Sequence, residues 1–167
     1  PVRREAIEAV VVGSQNPFAF NHMDNVAAKI SGLLGISGAK SVLIDTASSS
    51  GASAFENAYL EVASGRYDRV LTIGIQKMTD VNTEEATKII AGVIDREEAE
   101  YGLTMPACGA LVAKSLMHDY KLDDKEWTEL AAQWAARAHR FAVQCPQAHL
   151  SFPLPVERYM ADRDNSR

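Results

Sequence analysis

The sequence is poor in most of the features that mark specialised protein classes. It holds two cysteines, Cys108 and Cys145, with no Cys-x-x-Cys pair and no regular spacing to His22, His118, His139 or His149. That argues against a structural zinc site and more strongly against a disulfide framework, and it reads as the reduced thiols of a cytoplasmic protein. No metal is expected. No apolar run approaches the ~18 residues of a membrane span. At a formal net charge of −5 there is no long basic or acidic run, so neither a nucleic-acid surface nor a polybasic membrane patch is expected. A signal peptide is also missing, although the chain opens at Pro1 without a methionine and so leaves room for a removed targeting segment. Three nucleotide and hydrolase signatures are absent as well. Ser48 lies in no Gly-x-Ser-x-Gly elbow. Gly32, Gly35 and Gly38 precede Lys40 without the Gly-Lys pair of a phosphate loop, and no Gly-x-Gly-x-x-Gly follows a strand.

What remains is the composition of a globular α/β chain. Its 167 residues are 47% hydrophobic and 23% charged, enough for a real core. Val10-Val11-Val12-Gly13, Val42-Leu43-Ile44 and Val70 to Ile75 are continuous apolar runs rich in β-branched residues, the pattern of strands covered on both faces. Between them Ser14–Asn21 reads as a loop. A helix capped by Asp24 or Asn25 carries Val26, Ala27, Ile30 and Leu33 and stops at Gly35, and a second carries Ala54, Phe55, Ala58, Tyr59, Val62 and Ala63 and stops at Gly65. Strand, helix, strand, helix, strand predicts a doubly wound parallel layer, whose ligands sit beyond the carboxyl ends of the strands. Gly13-Ser14, Ser48 and Lys77-Met78 would gather there. From about residue 81 the character turns helical. Asn82–Ile94, Ala107–Tyr120 and Asp124–Val143 are expected helices, the last with Trp127, Leu130, Ala131, Trp134, Ala135 and Ala138 as a core-facing stripe. Asp95–Tyr101 reads as a solvated acidic face, and Pro146, Pro153 and Pro155 mark an irregular tail. The expected division is therefore an α/β domain over 1–80 and a helical subdomain over 81–167.

The stretch from Ser41 to Tyr67 organises the rest. A buried strand runs into Asp45-Thr46-Ala47-Ser48-Ser49-Ser50-Gly51 and then directly into a helix, placing the serines at the helix start. Unpaired N–H groups and the positive end of the macrodipole stabilise an anion there, and favour the deprotonated form of a nucleophile. The simpler reading is that the serines only cap the helix.

This turn, with the following Ala54-Phe55, Ala58-Tyr59-Leu60, Val62-Ala63-Ser64-Gly65 and Val70 through Met78-Thr79, resembles the amino-terminal half of the thiolase family, most of all its archaeal and sterol-carrier-type branch. Tyr101-Gly102-Leu103-Thr104-Met105-Pro106, Met117-His118-Asp119-Tyr120, Ala138-His139-Arg140 and Pro146-Gln147-Ala148 resemble the same family's pattern in order and spacing, within its helical loop domain. The resemblance implies the first half of a five-layer αβαβα fold. It also implies a first strand and helix before residue 10, and a fifth strand and a whole second half after Arg167.

In that family the serine turn carries a nucleophilic cysteine, and the matching position is Ser48. Gly51, as a place where backbone could approach the site, and Met78, beside it, are the further candidates. No counterpart is found for the second-half segments that supply the activating histidine and the second acid/base; neither Cys108 nor Cys145 inherits those roles. The implied activity is acyl transfer with coenzyme A or acyl-CoA as substrate and no covalently bound cofactor: thiolysis of a 3-ketoacyl-CoA, or condensation of acetyl-CoA. A serine hydroxyl needs an adjacent general base where a thiol would not. Three explanations for Ser48 stay open: an introduced substitution, a natural loss of thiolysis, or different chemistry. The alternatives are accordingly an acyl-CoA aldolase of the same fold, or a non-catalytic acyl-CoA-binding or scaffold subunit. A half-thiolase would leave an apolar face uncovered, so a homo-oligomer or a complex with a partner subunit is expected.

Overall fold

The computed structural model describes residues 2–162; residues 163–167, the end of the expected second domain, lie outside the described residues. The chain divides into two compact units, Pro1–Met105 and Pro106–Arg167. The expected change of domain at 80/81 thus falls inside the first unit.

Unit 1 is built on three parallel strands, β1 (Ala9–Gly13), β2 (Lys40–Ile44) and β3 (Val70–Gly74), in the order β2-β1-β3. The register sets Val11 opposite both Val42 and Thr72. As the central strand, β1 is buried along its whole length, which is why it reads as unbroken valine rather than as alternation. Successive side chains point to opposite faces. Val10 and Val12 pack under α2 (Val26–Leu33) with Ala27 and Ile36, whereas Val11 packs under α3 (Ser50–Ala63) with Ala54 and Ala58. One helix therefore covers each face, the doubly wound α/β arrangement expected. Fully burying each valine contributes about 1.5–3 kcal/mol.

Local signals set most element ends. Gly35 and Gly65 adopt positive φ just beyond α2 and α3. Asn25 stands at the N-cap of α2, but in left-handed geometry and with no capping hydrogen bond from its side chain. The expected loop after β1 contains a one-turn helix, α1 (Pro17–Asn21): Pro17 opens it, where its fixed φ suits a helix and its missing N–H costs nothing, and Phe20 anchors it by burial. The α3 face differs from expectation. Of its expected apolar face, Ala54 and Ala58 are the residues buried against the sheet, being small enough to bring the helix close; Phe55, Tyr59 and Val62, rotated away from them, are 67, 64 and 44% exposed. Asn82 caps α4 (Thr83–Ala91) by accepting from the Glu85 amide. The acidic stretch that follows is itself helical, as α5 (Arg96–Glu100).

Unit 2 is helical. α6 (Met105–Tyr120) leads into it and α7 (Asp124–Ala142) opens with a capping box between Asp123 and Glu126. The proline-rich tail ends in a further short helix, α8 (Val156–Ala161). The expected core stripe of α7 is the main correction here. Ala132 is its buried residue, while Leu130 and Trp134 are 51 and 73% exposed. Trp127, Ala131 and Ala135 of the expected stripe are half-buried, so the stripe is covered in part.

Candidate functional site

The three strands of unit 1 end together, and a cleft of about 420 Å³ opens over their carboxyl ends. It is lined by Gly13, Ser14 and Gln15 after β1, Ala47, Ser48, Ser50 and Gly51 after β2, and Gly74, Ile75, Gln76 and Met78 after β3. This is where ligands bind in doubly wound sheets.

The serine turn is held by its own backbone and by neighbours distant in sequence. Asp45 is the pivot: one carboxylate oxygen accepts from the Ala47 amide at 3.2 Å, the other from the Asn16 amide at 2.9 Å, tying the turn to the loop after β1. Ala47 sits at φ 53°, a left-handed geometry unusual for a residue with a Cβ, and immediately precedes Ser48. The three serines then separate in role. The Ser50 hydroxyl is buried, donates to the Ala47 carbonyl at 2.6 Å and accepts from the Thr46 amide at 3.0 Å. That of Ser49 donates to the Thr46 carbonyl at 2.8 Å. Neither bonds forward into the helix, and Ser49, the N-cap residue, makes no capping hydrogen bond. Ser48 is exposed, and among the described residues its hydroxyl has no hydrogen-bond partner. Capping thus explains none of the three, and Ser48 is the one whose oxygen is free to meet a ligand.

The first turn of α3 supplies the electrostatics. The Ser49 and Ser50 amides bond back to Thr46 and Ala47, and the Ser53 amide to Ser49. The intervening Gly51 and Ala52 amides belong to the set that a helix start leaves unsatisfied, at the positive end of the dipole. Gly13 permits this proximity: a Cβ there would lie 2.5 Å from the Ser50 carbonyl oxygen. The close approach of the strand to the helix start is thus made at Gly13. A Cβ on Gly51 would meet no protein atom within 4 Å, so the space over it is cleft.

The opposite wall is set by Gln76, whose side-chain oxygen accepts from the Gln15 amide at 2.9 Å. Met78, 38% exposed, lines the cleft rather than filling the core. Its turn is held by Asn21, which donates to the Lys77 carbonyl and to the Asp80 carboxylate. Lys77, and then Asn21, hydrogen-bond Asp80 and hold its carboxyl below the usual carboxylate range. Lys77 is thereby engaged away from the cleft lining. Asp45 and Gln76 are the site residues that sequence reasoning missed. An Asp closing a strand before a turn is a signal for the first; nothing local marks the second.

Within unit 1, His22 does not line this cleft. His139 Nδ1 lies 2.8 Å from the Phe152 carbonyl oxygen, within unit 2. Among the described residues no group of three or more His, Cys, Asp or Glu side chains could hold a metal ion, and no helix is long and apolar enough to cross a membrane.

Comparison with known proteins agrees with this geometry. Residues 1–164 match the family described as thiolase, N-terminal domain. The chain is 32% identical over 155 residues to an acetyl-CoA acetyltransferase of Methanocaldococcus jannaschii, covering 92% of this chain and 38% of that relative. It is 30% identical to an acetyl-CoA acetyltransferase of Methanothermobacter thermautotrophicus, covering 92% of this chain and 39% of the relative. The chain thus spans less than two fifths of the length of these relatives. By the family match across nearly its whole length, the chain belongs to the thiolase family, through its amino-terminal domain.

Proposed function

We propose that the cleft is one half of the active site of a thiolase-type acyl-CoA acyltransferase, acting in 3-ketoacyl-CoA thiolysis or in acetyl-CoA condensation, with Ser48 at the position of the acyl-accepting nucleophile. The observation that carries the reading is the placement of the Ser48 hydroxyl: exposed, without a partner, on a strained turn at the start of α3 and at the carboxyl edge of a parallel sheet. Coenzyme A and its acyl thioesters are the substrates, and no covalently bound cofactor is required. In thiolysis the nucleophile gives up its proton and bonds to the 3-keto carbon, the bond from that carbon to C2 breaks, and C2 leaves with acetyl-CoA and takes up a proton. The sulfur of free coenzyme A then bonds to the acyl carbon, the bond from that carbon to the nucleophile breaks, and the thiol proton passes to the nucleophile. The Gly51 and Ala52 amides suit the oxyanion that forms in the first step.

The acetyltransferase relatives support this reading, and so does the form of α3. Phe55, Tyr59 and Leu60 stand more than half exposed along one side of that helix. We assign that side to further polypeptide, as the relatives' greater length suggests, and with it the missing general base. The protein then works as a cytoplasmic oligomer or in complex with a partner subunit, away from nucleic acid and membrane.

One observation favours a second reading. The cleft lining holds no ionisable side chain, and a serine has little nucleophilic power without a base. This is compatible with a thiolase-fold acyl-CoA aldolase, which forms no acyl-enzyme, or with a non-catalytic acyl-CoA-binding subunit. Incubating the purified full-length protein and its Ser48→Cys variant with acetoacetyl-CoA and coenzyme A separates them. Gain of thiolysis by the cysteine variant is expected; an inert variant in an otherwise intact protein overturns the assignment. An acyl adduct detected by intact mass excludes the non-catalytic reading.

A further inference from the structure

One polar side chain of the cleft is buried and has nothing to bond. Gln15, which follows β1, is 8% exposed and lines the cleft, yet among the described residues its side-chain amide makes no hydrogen bond. Buried polar groups nearly always have a partner, and one left without is costly. Nor is this amide sealed inside the protein. Among the described residues, the enclosed side-chain atoms that lack a partner are Asn57 Oδ1 and Glu61 Oε2, both on α3. The opening that Gln15 keeps is at the cleft that it lines.

The backbone beneath this side chain is fixed from three directions. The Ser14 amide donates to the Ile44 carbonyl at 3.2 Å, the Gln15 amide to Gln76 Oε1 at 2.9 Å, and the Asn16 amide to the Asp45 carboxylate at 2.9 Å. Three successive residues are thus tied to the ends of β2 and β3, and a side chain carried on so braced a backbone has less freedom to lose on meeting a ligand. A carboxamide offers two N–H donors and a carbonyl acceptor, and no charge. It matches a hydroxyl or carbonyl oxygen on a neutral ligand. A plain hydrocarbon chain would bury it unpaired, which is how a polar site rejects an analogue lacking the polar group. We infer that Gln15 is a specificity-determining residue of the cleft: its carboxamide hydrogen-bonds an oxygen carried on the acyl chain and discriminates against hydrocarbon acyl groups. Gln76, which holds the Gln15 backbone, is its positioning residue. The inference rests on the reading of the cleft as an acyl-CoA site.

The test compares the affinities of the full-length protein for butyryl-CoA and 3-hydroxybutyryl-CoA by isothermal titration calorimetry. The two esters differ by one hydroxyl, and neither has a 3-keto carbon, so thiolytic cleavage does not accompany binding. The wild type is expected to bind the hydroxylated ester at least about tenfold more tightly, because the butyryl chain leaves the amide unpaired. Gln15→Met, close in size but without the amide, is expected to bring the two affinities together by weakening the hydroxylated ester while keeping butyryl-CoA. Gln76→Ala frees the Gln15 backbone and should narrow the ratio. Gln76→Glu keeps an acceptor for the Gln15 amide and should restore it. A wild type that binds both esters equally, or a ratio that Gln15→Met leaves unchanged, overturns the inference and leaves the acyl-CoA reading standing; other polypeptide then meets the amide. So does a loss of both esters in equal measure in a folded Gln15→Met protein. A wild type that binds neither ester overturns the acyl-CoA reading and this inference together.

Discussion

Gly13→Ala puts a methyl group where the end of β1 passes beneath the start of α3. Its carbon would lie 2.5 Å from the Ser50 carbonyl oxygen, 2.8 Å from the Ser50 carbonyl carbon and 3.0 Å from the Gly51 Cα. Ordinary contacts of this kind are about 3.5 Å, so the first turn of α3 must retreat by up to roughly 1 Å. All three atoms are backbone, and no side-chain rotation relieves them. Overpacking of this kind costs about 1–3 kcal/mol. Alanine recovers about 0.5–1 kcal/mol through the lower entropy of the unfolded chain and a better strand residue, leaving a net loss of up to about 2.5 kcal/mol. For a protein of this size that corresponds to a fall of up to roughly 10 °C in Tm. Gly32→Ala is the matched control: its Cβ would meet no atom within 4 Å, and inside α2 it is expected to stabilise by about 0.5–1 kcal/mol. Urea unfolding of the two variants beside the wild type reads both. A Gly13→Ala midpoint at or above that of the wild type would refute the claim that a side chain at position 13 is excluded by the helix above it.

Three further outcomes follow from the same geometry. Asp45→Ala removes the acceptor shared by the Asn16 and Ala47 amides and is expected to cost about 1–2 kcal/mol, with hydrogen-exchange protection at those two amides falling more than elsewhere; unchanged protection there would count against the pivot role. Ala47→Gly relieves the positive φ and is expected to change stability by less than about 1 kcal/mol in the favourable direction, against a loss of several degrees in Tm for the β-branched Ala47→Val; equal Tm values for the two would be contrary to the strain. Asp80 has a depressed pKa, so its contribution is complete above the ordinary carboxylate value near about 4 and is lost as pH falls through its lower folded value. Glu84 behaves likewise, while Lys88, raised by the Glu84 carboxylate, contributes below its ordinary value and loses that contribution only as alkali carries it through its higher folded value. An NMR titration of the Asp80 carboxyl should therefore return toward the ordinary range in Lys77→Ala, and no movement would discount that hydrogen bond.

What could be read from the chain in advance depended on whether the signal was local. Continuous valine and isoleucine runs located all three strands, and Gly35 and Gly65 marked where α2 and α3 stop, because burial on both faces and a left-handed residue each leave a mark in a few consecutive residues. Which side of a helix faces inward is settled by what lies beneath it. On α3 apolar periodicity named Ala54 and Ala58, which are buried against the sheet, together with Phe55 and Tyr59, which face out, and on α7 it named the half-buried Trp127 together with the exposed Trp134. The short helices α1, α5 and α8 escaped because a helix of five or six residues is too brief for periodicity to show. At the cleft, the serine turn stood out by composition. The bonds that brace it join residues 29 and 61 apart, Asp45 to Asn16 and Gln76 to Gln15, and a pair so separated has no signature in sequence.

The chemistry of position 48 can be tested without any catalytic turnover. If the start of α3 is the electrostatic element of the cleft, it should act on any ionisable group placed there, and the Ser48→Cys thiol is the smallest such probe. The Asp45 carboxylate of the same turn is already engaged by the Ala47 and Asn16 amides, and position 48 is exposed, so desolvation does not oppose the helix dipole and the first-turn amides. Both favour the thiolate, and the thiol pKa should fall below the ordinary value of about 8.5. The pH dependence of iodoacetamide alkylation gives that pKa, with Cys108 and Cys145 modified in the same sample and resolved by peptide mass. A midpoint for position 48 at or above the ordinary value would mean that the serine turn does not stabilise negative charge, and would remove the physical basis for placing a nucleophile there. A depressed midpoint would explain why a thiol at this point can work with the helix alone, and why a hydroxyl, far less acidic, depends on a base from outside the cleft.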